Sequence, residues 1–185
     1  MAMKLVALAI VFAACAPPQA MHVPDIALTA TSGPAASYPR DLAAASYTVF
    51  VFFSKDCECF GAHQARLHAL VERFRPRGVR FVIVDSEVGT SLDDDVREAR
   101  DRGLAAIYRD PGGKLARALG ARFATYSVVV DPSGRIRYHG GIDNDQKYLR
   151  DDSTPFLADA LDDLTAGREP RRVEGKTLGC ALQLW

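Results

Sequence analysis

Tyr47-Thr-Val-Phe-Val-Phe-Phe53 is an unbroken run of β-branched and aromatic residues that ends abruptly at Ser54-Lys55-Asp56-Cys57-Glu58-Cys59. A run without polar alternation is a strand buried on both faces, so it needs cover from both sides. Directly after it Phe60, His63, Leu67, Leu70, Val71 and Phe74 recur at helical spacing, closed by Pro76 and Gly78. Val79-Arg-Phe-Val-Ile-Val-Asp85 is then a second buried strand. Strand, helix and strand in that order form the unit of a parallel sheet, which confines the chain to the α/β class.

The remaining pattern extends that sheet. Ser91 with Asp94 predicts the cap of a helix carrying Leu92, Val96 and Ala99 and ending at Gly103. Ala105–Tyr108 reads as a short strand and Lys114–Leu119 as a short helix stopped by Gly120. Tyr126–Asp131 turns through Asp131-Pro132-Ser133-Gly134 into Arg135–His139, whose alternation marks a half-exposed hairpin partner. Thr154 is expected to cap a last helix with Pro155 at its first position, and Gly167 ends it. Residues 21–46 are rich in Ala, Ser, Thr and Pro, with apolar pulses at Ile26 and Leu28, and suggest a linker and an irregular hairpin or edge strand. The expected fold is a central mixed sheet with helices on both faces, closed by a C-terminal β-hairpin and a helix.

Composition narrows the partners. The chain has 185 residues, 48% of them apolar, which suits one domain with its own core. Lys and Arg total 23 and Asp and Glu total 23, a balance that argues against nucleic acid, whose phosphates require a basic excess. Four cysteines are too few for a disulfide scaffold of this length.

Lys4 precedes ten uninterrupted apolar residues, Leu5–Ala14, the length of a signal-peptide hydrophobic region and too short to span a bilayer. Phe12-Ala13-Ala14-Cys15 resembles the lipobox of bacterial lipoproteins, with Phe12 where leucine is usual. That resemblance implies removal of residues 1–14, lipidation of Cys15 and a membrane anchor on the periplasmic side of the envelope. Ordinary secretory cleavage would instead leave a secreted or periplasmic protein. Residues 15–24 are then a linker, 25–167 the domain and 168–185 a tail carrying Cys180.

Chemistry is expected where the first buried strand hands over to its helix. A thiol there faces unpaired N–H groups and the positive end of the helix dipole, which favour thiolate, the nucleophile of disulfide exchange and of peroxide reduction. Cys57 is therefore expected to be ionised and reachable, with Cys59 beside it. Lys55 assists the charge, and Asp56 and Glu58 oppose it. Cys180 is either a resolving cysteine on a flexible tail or an idle thiol. His63, on one helical face with Cys59, completes a Cys57, Cys59 and His63 set suited to Cu(I); otherwise it is a helix residue at the rim of the core. Asp93-Asp94-Asp95 reads as a solvated helix N-terminus, and Arg75, Arg77 and Arg80 as solvated surface.

Phe52-Phe53-Ser54-Lys55-Asp56-Cys57, the Leu67 helix, Arg77-Gly-Val-Arg-Phe-Val82, Asp131-Pro-Ser-Gly134 and Tyr138-His-Gly-Gly-Ile-Asp143-Asn144 together resemble the redoxin branch of the thioredoxin-like superfamily. This branch holds the alkyl hydroperoxide reductase/thiol-specific antioxidant proteins and the periplasmic thiol-disulfide oxidoreductases. The resemblance runs from about Pro24 to Cys180, and Leu178-Gly179-Cys180-Ala181 is similar to a Gly-Cys close of some bacterial redoxin domains. It implies a thioredoxin-like fold with Cys57 as the reactive cysteine and Cys59 or Cys180 as its resolving partner. It also implies an external thiol or disulfide partner, a peroxide as a further substrate, and neither organic cofactor nor metal. Three positions depart from the relatives: the second cysteine comes one residue earlier than in Cys-x-x-Cys, Phe50 replaces the proline of peroxiredoxins, and Thr125 stands where thioredoxins carry a cis-proline. Ser54 matches the peroxiredoxin hydroxyl, and Thr125 leans to that side. A copper-binding chaperone of the same fold and a redox-inactive binding module are the competing expectations.

Overall fold

Ile26–Ala30 (β1) and Ala36–Tyr38 (β2) form the antiparallel hairpin expected of the Ala- and Ser-rich segment. The computed structural model describes residues 22–185, so the leader and Cys15 lie outside the described residues. Tyr47–Phe53 (β3) runs parallel to Val79–Asp85 (β4), and β4 runs parallel to Ile107–Arg109 (β5). Glu58–Phe74 (α1) and Leu92–Asp101 (α2) make the two crossovers. Lys114–Ala118 (α3) precedes Ser127–Val130 (β6), which pairs antiparallel with both β3 and Ile136–Gly140 (β7). Phe156–Thr165 (α4) follows. The sheet reads β2-β1-β5-β4-β3-β6-β7, with β3 between β4 and β6.

Burial explains why β3 has no polar alternation. Thr48 to Phe53 are all buried, and the hydroxyl of Thr48 donates to the Leu42 carbonyl at 2.7 Å. Phe53 meets Phe60 of α1 edge to face at 4.9 Å between centroids, so the strand and the helix that follows it lock where the cysteines lie. Ser91 and Asp94 form the full capping box of α2, a pairing worth about 1 kcal/mol.

Three local expectations shift. β5 starts at Ile107, because Ala105 stays in a loop where its carbonyl accepts the Ser32 hydroxyl. Thr154 does not cap α4 with its side chain; its N–H goes to Asn144 Oδ1 and its carbonyl accepts the Phe156 N–H. Asp95 is buried, unlike Asp93, because it falls on the inner side of α2 and meets Arg109 of β5.

The largest difference lies at the C-terminus. Residues 168–185 do not form a loose tail. Asp163 of α4 holds Arg168 and Arg171 at its start, and Val173 and Gly175 then bond to His139 at the free edge of β7. Beyond that the chain crosses Gly140 and Gly141, where added side chains would strike the backbone of Gly175 and Lys176. Cys180 O accepts the Ala124 N–H at 2.8 Å, and the Leu182 N–H goes to Arg122 O at 2.9 Å. Leu182 and Leu184 are buried, and Gln183 is tied to Glu87 and Val88. This strap has no periodicity because each residue answers a different neighbour.

Candidate functional site

Cys57 is the N-cap of α1, and its Sγ accepts the Phe60 N–H at 3.4 Å. The Cys57 N–H in turn reaches the carbonyl of Ser54, which makes the turn that aims the sulfur at the helix end. Arg102, at the end of α2, clamps the turn. Its guanidinium lies over the rings of Phe53 and Phe60 and donates to the Lys55 carbonyl at 2.9 Å. Glu58, one of the acids that oppose a thiolate, is drawn off by Lys147 at 2.9 Å.

The strap brings Cys180 to this point. Cys57 and Cys180 form a disulfide across 123 residues of chain, with Cα atoms 5.6 Å apart, inside the ordinary range. Cys59 is a free, buried thiol beside them, and the three sulfurs lie within 4.8 Å of one another. Burial pushes the Cys59 thiol pKa up, and the Glu58 charge adds to this while Lys147 opposes it. Cys57 itself is only 3% exposed, so in the disulfide state it is not the reachable sulfur expected from sequence. Cys180 is the more exposed of the two.

Thr125 is buried beside Gly179 of the strap with φ 69°, a left-handed conformation that a β-branched residue adopts at a cost of about 1–3 kcal/mol. Its N–H donates to Phe52 O at the end of β3 and its carbonyl accepts the Ser127 hydroxyl. This bend turns Ala124 towards the strap. Ser54 is buried, and the bond that ties it to Cys57 comes from its carbonyl.

His63 departs from both of its expected roles. It is buried, with Nδ1 2.7 Å from Cys59 O and Nε2 3.0 Å from Asp143 Oδ1. Both partners only accept hydrogen bonds, so both ring nitrogens must donate and the ring is an imidazolium. Burial works against that charge, but the bonds to Asp143 and to Cys59 O outweigh it and the His63 pKa is raised. Neither nitrogen is left for a metal beside Cys57 and Cys59. Arg66 closes the network on Asp143 at 2.6 Å and on Asp145 at 2.9 Å. Sequence reasoning quoted Asp143 without giving it a role, because nothing local links it to a helix 80 residues away.

A second buried acid borders the strap's landing loop. Burial, with help from the Asp85 carboxylate, pushes the Asp95 pKa up to about 7 against the pull of Arg109. Asp85 Oδ2 makes no hydrogen bond and has Arg109 Nη1 only at 3.9 Å. An unfolded aspartate titrates near about 3.9, so the stabilisation is complete below that pH and lost as pH rises through about 7. Stability is therefore expected to fall between about pH 4 and 7, by at most about 1.4 kcal/mol per pH unit. Asp95→Asn should flatten that slope in thermal melts across the range; an unchanged slope would contradict the raised Asp95 pKa.

No family model matches this chain, and no curated protein matches it. Solved structures do. An uncharacterized conserved protein from Geobacillus kaustophilus superposes with TM-score 0.81 at 23% identity, covering 91% of this chain and 92% of that one. The thioredoxin domain of a thiol-disulfide oxidoreductase from Bacteroides vulgatus gives 0.54 at 14% identity, covering 65% and 86%. The bacterioferritin comigratory protein of Xanthomonas campestris, described for its alkyl peroxide reduction activity, gives 0.54 at 15%, covering 77% and 88%. The fold is thioredoxin-like, as the sequence resemblance implied.

Proposed function

We propose that this chain is a two-cysteine thiol oxidoreductase that reduces hydroperoxides, with Cys57 as the attacking thiolate and Cys180 as the resolving thiol. The observation that carries the reading is the Cys57–Cys180 bridge at the N-terminus of α1, held by a strap whose backbone is paired to Ala124. A helix N-terminus stabilises thiolate, and a thiol held close by converts its oxidised product to a disulfide. The Cys57 thiolate takes the distal oxygen of ROOH, the leaving alkoxide takes a proton to become ROH, and Cys57 becomes the sulfenic acid. The Cys180 thiol then displaces water and forms the bridge. An external dithiol closes the cycle: its thiolate attacks the more exposed Cys180 sulfur, and Cys57 departs as the better leaving group at the helix end. The second thiol of the reductant then frees Cys180.

The strap favours a small oxidant over a protein disulfide. It occupies the backbone positions at Arg122 and Ala124 that a bound peptide would need. A disulfide as the oxidised form also suits an oxidising compartment, in line with an export leader at residues 1–14 and a lipid anchor on Cys15. Among the described residues no helix is long and apolar enough to cross a membrane.

Hydroperoxide consumption with a dithiol reductant is the test, beside insulin reduction as the disulfide-exchange arm. Peroxide turnover should exceed insulin reduction. Cys57→Ser should fall to background. Cys180→Ser should accumulate a dimedone-reactive sulfenic acid on Cys57, seen by mass spectrometry. Insulin reduction without peroxide turnover would replace this reading with disulfide exchange, and full activity in Cys57→Ser would remove thiol catalysis altogether.

A further inference from the structure

Cys59 is the cysteine that the proposed cycle leaves without a task. It is buried one residue after the N-cap, and its sulfur lies within 4.8 Å of those of Cys57 and Cys180. We infer that the reduced protein holds one soft d10 cation, Cu(I), in a trigonal site made of the Cys57, Cys59 and Cys180 sulfurs.

The geometry needs little change. Thiolate–metal bonds of about 2.3 Å put the three sulfurs of a trigonal ion about 4.0 Å apart. Reduction lets the bonded pair separate towards that spacing, and the existing limit of 4.8 Å leaves only a short contraction elsewhere. The strap itself need not travel far, because its pairing to Ala124 already holds Cys180 against the helix end.

The donor set selects the ion. Three thiolates and no hard ligand favour Cu(I). Zinc demands a fourth ligand, and the nearest nitrogen donor, His63, has both ring nitrogens committed to Cys59 O and Asp143. Each thiol that binds releases its proton to solvent. The Phe60 N–H on Cys57 offsets part of the negative charge that collects there. The site exists only in the reduced state, since the disulfide ties up two of its three sulfurs.

The inference is independent of peroxide chemistry, which is assayed without copper. The experiment is an anaerobic transfer of Cu(I) from its coloured bicinchoninate complex to phosphine-reduced protein, with the oxidised protein alongside. Reduced protein should take one equivalent and oxidised protein none. Cys59→Ser should bind at least about tenfold more weakly, since loss even of an outer-shell partner costs that much. Re-formation of the 57–180 bridge in Cys59→Ser, mapped by mass spectrometry, shows that the variant folds. His63→Gln should keep the one-to-one stoichiometry. No uptake by reduced wild-type protein, or equal uptake by Cys59→Ser, would overturn the three-sulfur site; loss of binding in His63→Gln would replace it with a Cys57, Cys59 and His63 set.

Discussion

Asp143→Ala is expected to cost about 3–5 kcal/mol of stability, the penalty for leaving a buried charge without its partner. The carboxylate receives His63 Nε2, Arg66 Nη1 and the Asp145 N–H, so its removal strands an imidazolium that is itself buried. Domains are stable by only about 5–15 kcal/mol, and for a chain of this size such a loss lowers Tm by about 10 °C. His63→Leu in the same background should recover much of it, because an apolar pair of similar volume avoids the desolvation that the ion pair must overcome. Denaturant unfolding of the two variants decides the matter. A loss below about 1 kcal/mol in Asp143→Ala would mean that the ring is neutral and that its bond to Asp143 contributes little.

Gly179→Ala should strike the chemistry while sparing the core. A Cβ at this position would lie 1.9 Å from Ala124 O and 2.9 Å from its carbonyl carbon, both backbone atoms that cannot rotate away. The strap must lift, which breaks the Ala124 N–H to Cys180 O bond and moves the Cys180 sulfur off Cys57. The Cα separation of 5.6 Å leaves little room, since bridging fails beyond about 7 Å. A misplacement of about 1 Å costs about a hundredfold in a positioned reaction, and disulfide formation should slow on that scale. Stopped-flow oxidation followed by thiol counting measures it. Gly61→Ala, whose Cβ would meet nothing closer than an Arg102 side-chain atom at 3.8 Å, is the control. Equal rates in the two variants would show that the strap does not set the position of Cys180.

Much of the framework was legible because it is local. The unbroken run from Tyr47 to Phe53, the Ser91–Asp94 capping box and the Asp131–Gly134 turn each declare themselves within a few residues, and each takes its expected form. Cys57 was legible for the same reason, as a residue between a strand and a helix. What escaped depends on distant partners. Asp95 shares its acidic run with Asp93, and only packing against Arg109 separates them. His63 carries an ordinary helical spacing, and its meaning comes from Asp143. The strap is hidden most thoroughly, since Leu182 and Leu184 fill gaps left by other segments and show no period of their own. The Cys57–Cys180 pairing, one of the two that the resemblance implied, is decided by that path.

A bridge spanning 123 residues also ties the stability of the molecule to its redox state. Closing a loop of that order restricts the unfolded chain by about 4–5 kcal/mol in the chain-entropy account, so the oxidised molecule is the more stable one. Reduction removes that restraint from the unfolded chain, while the strap keeps its backbone bonds to Arg122 and Ala124. Reducing conditions would therefore lower the unfolding free energy by about that amount and leave the native fold in place.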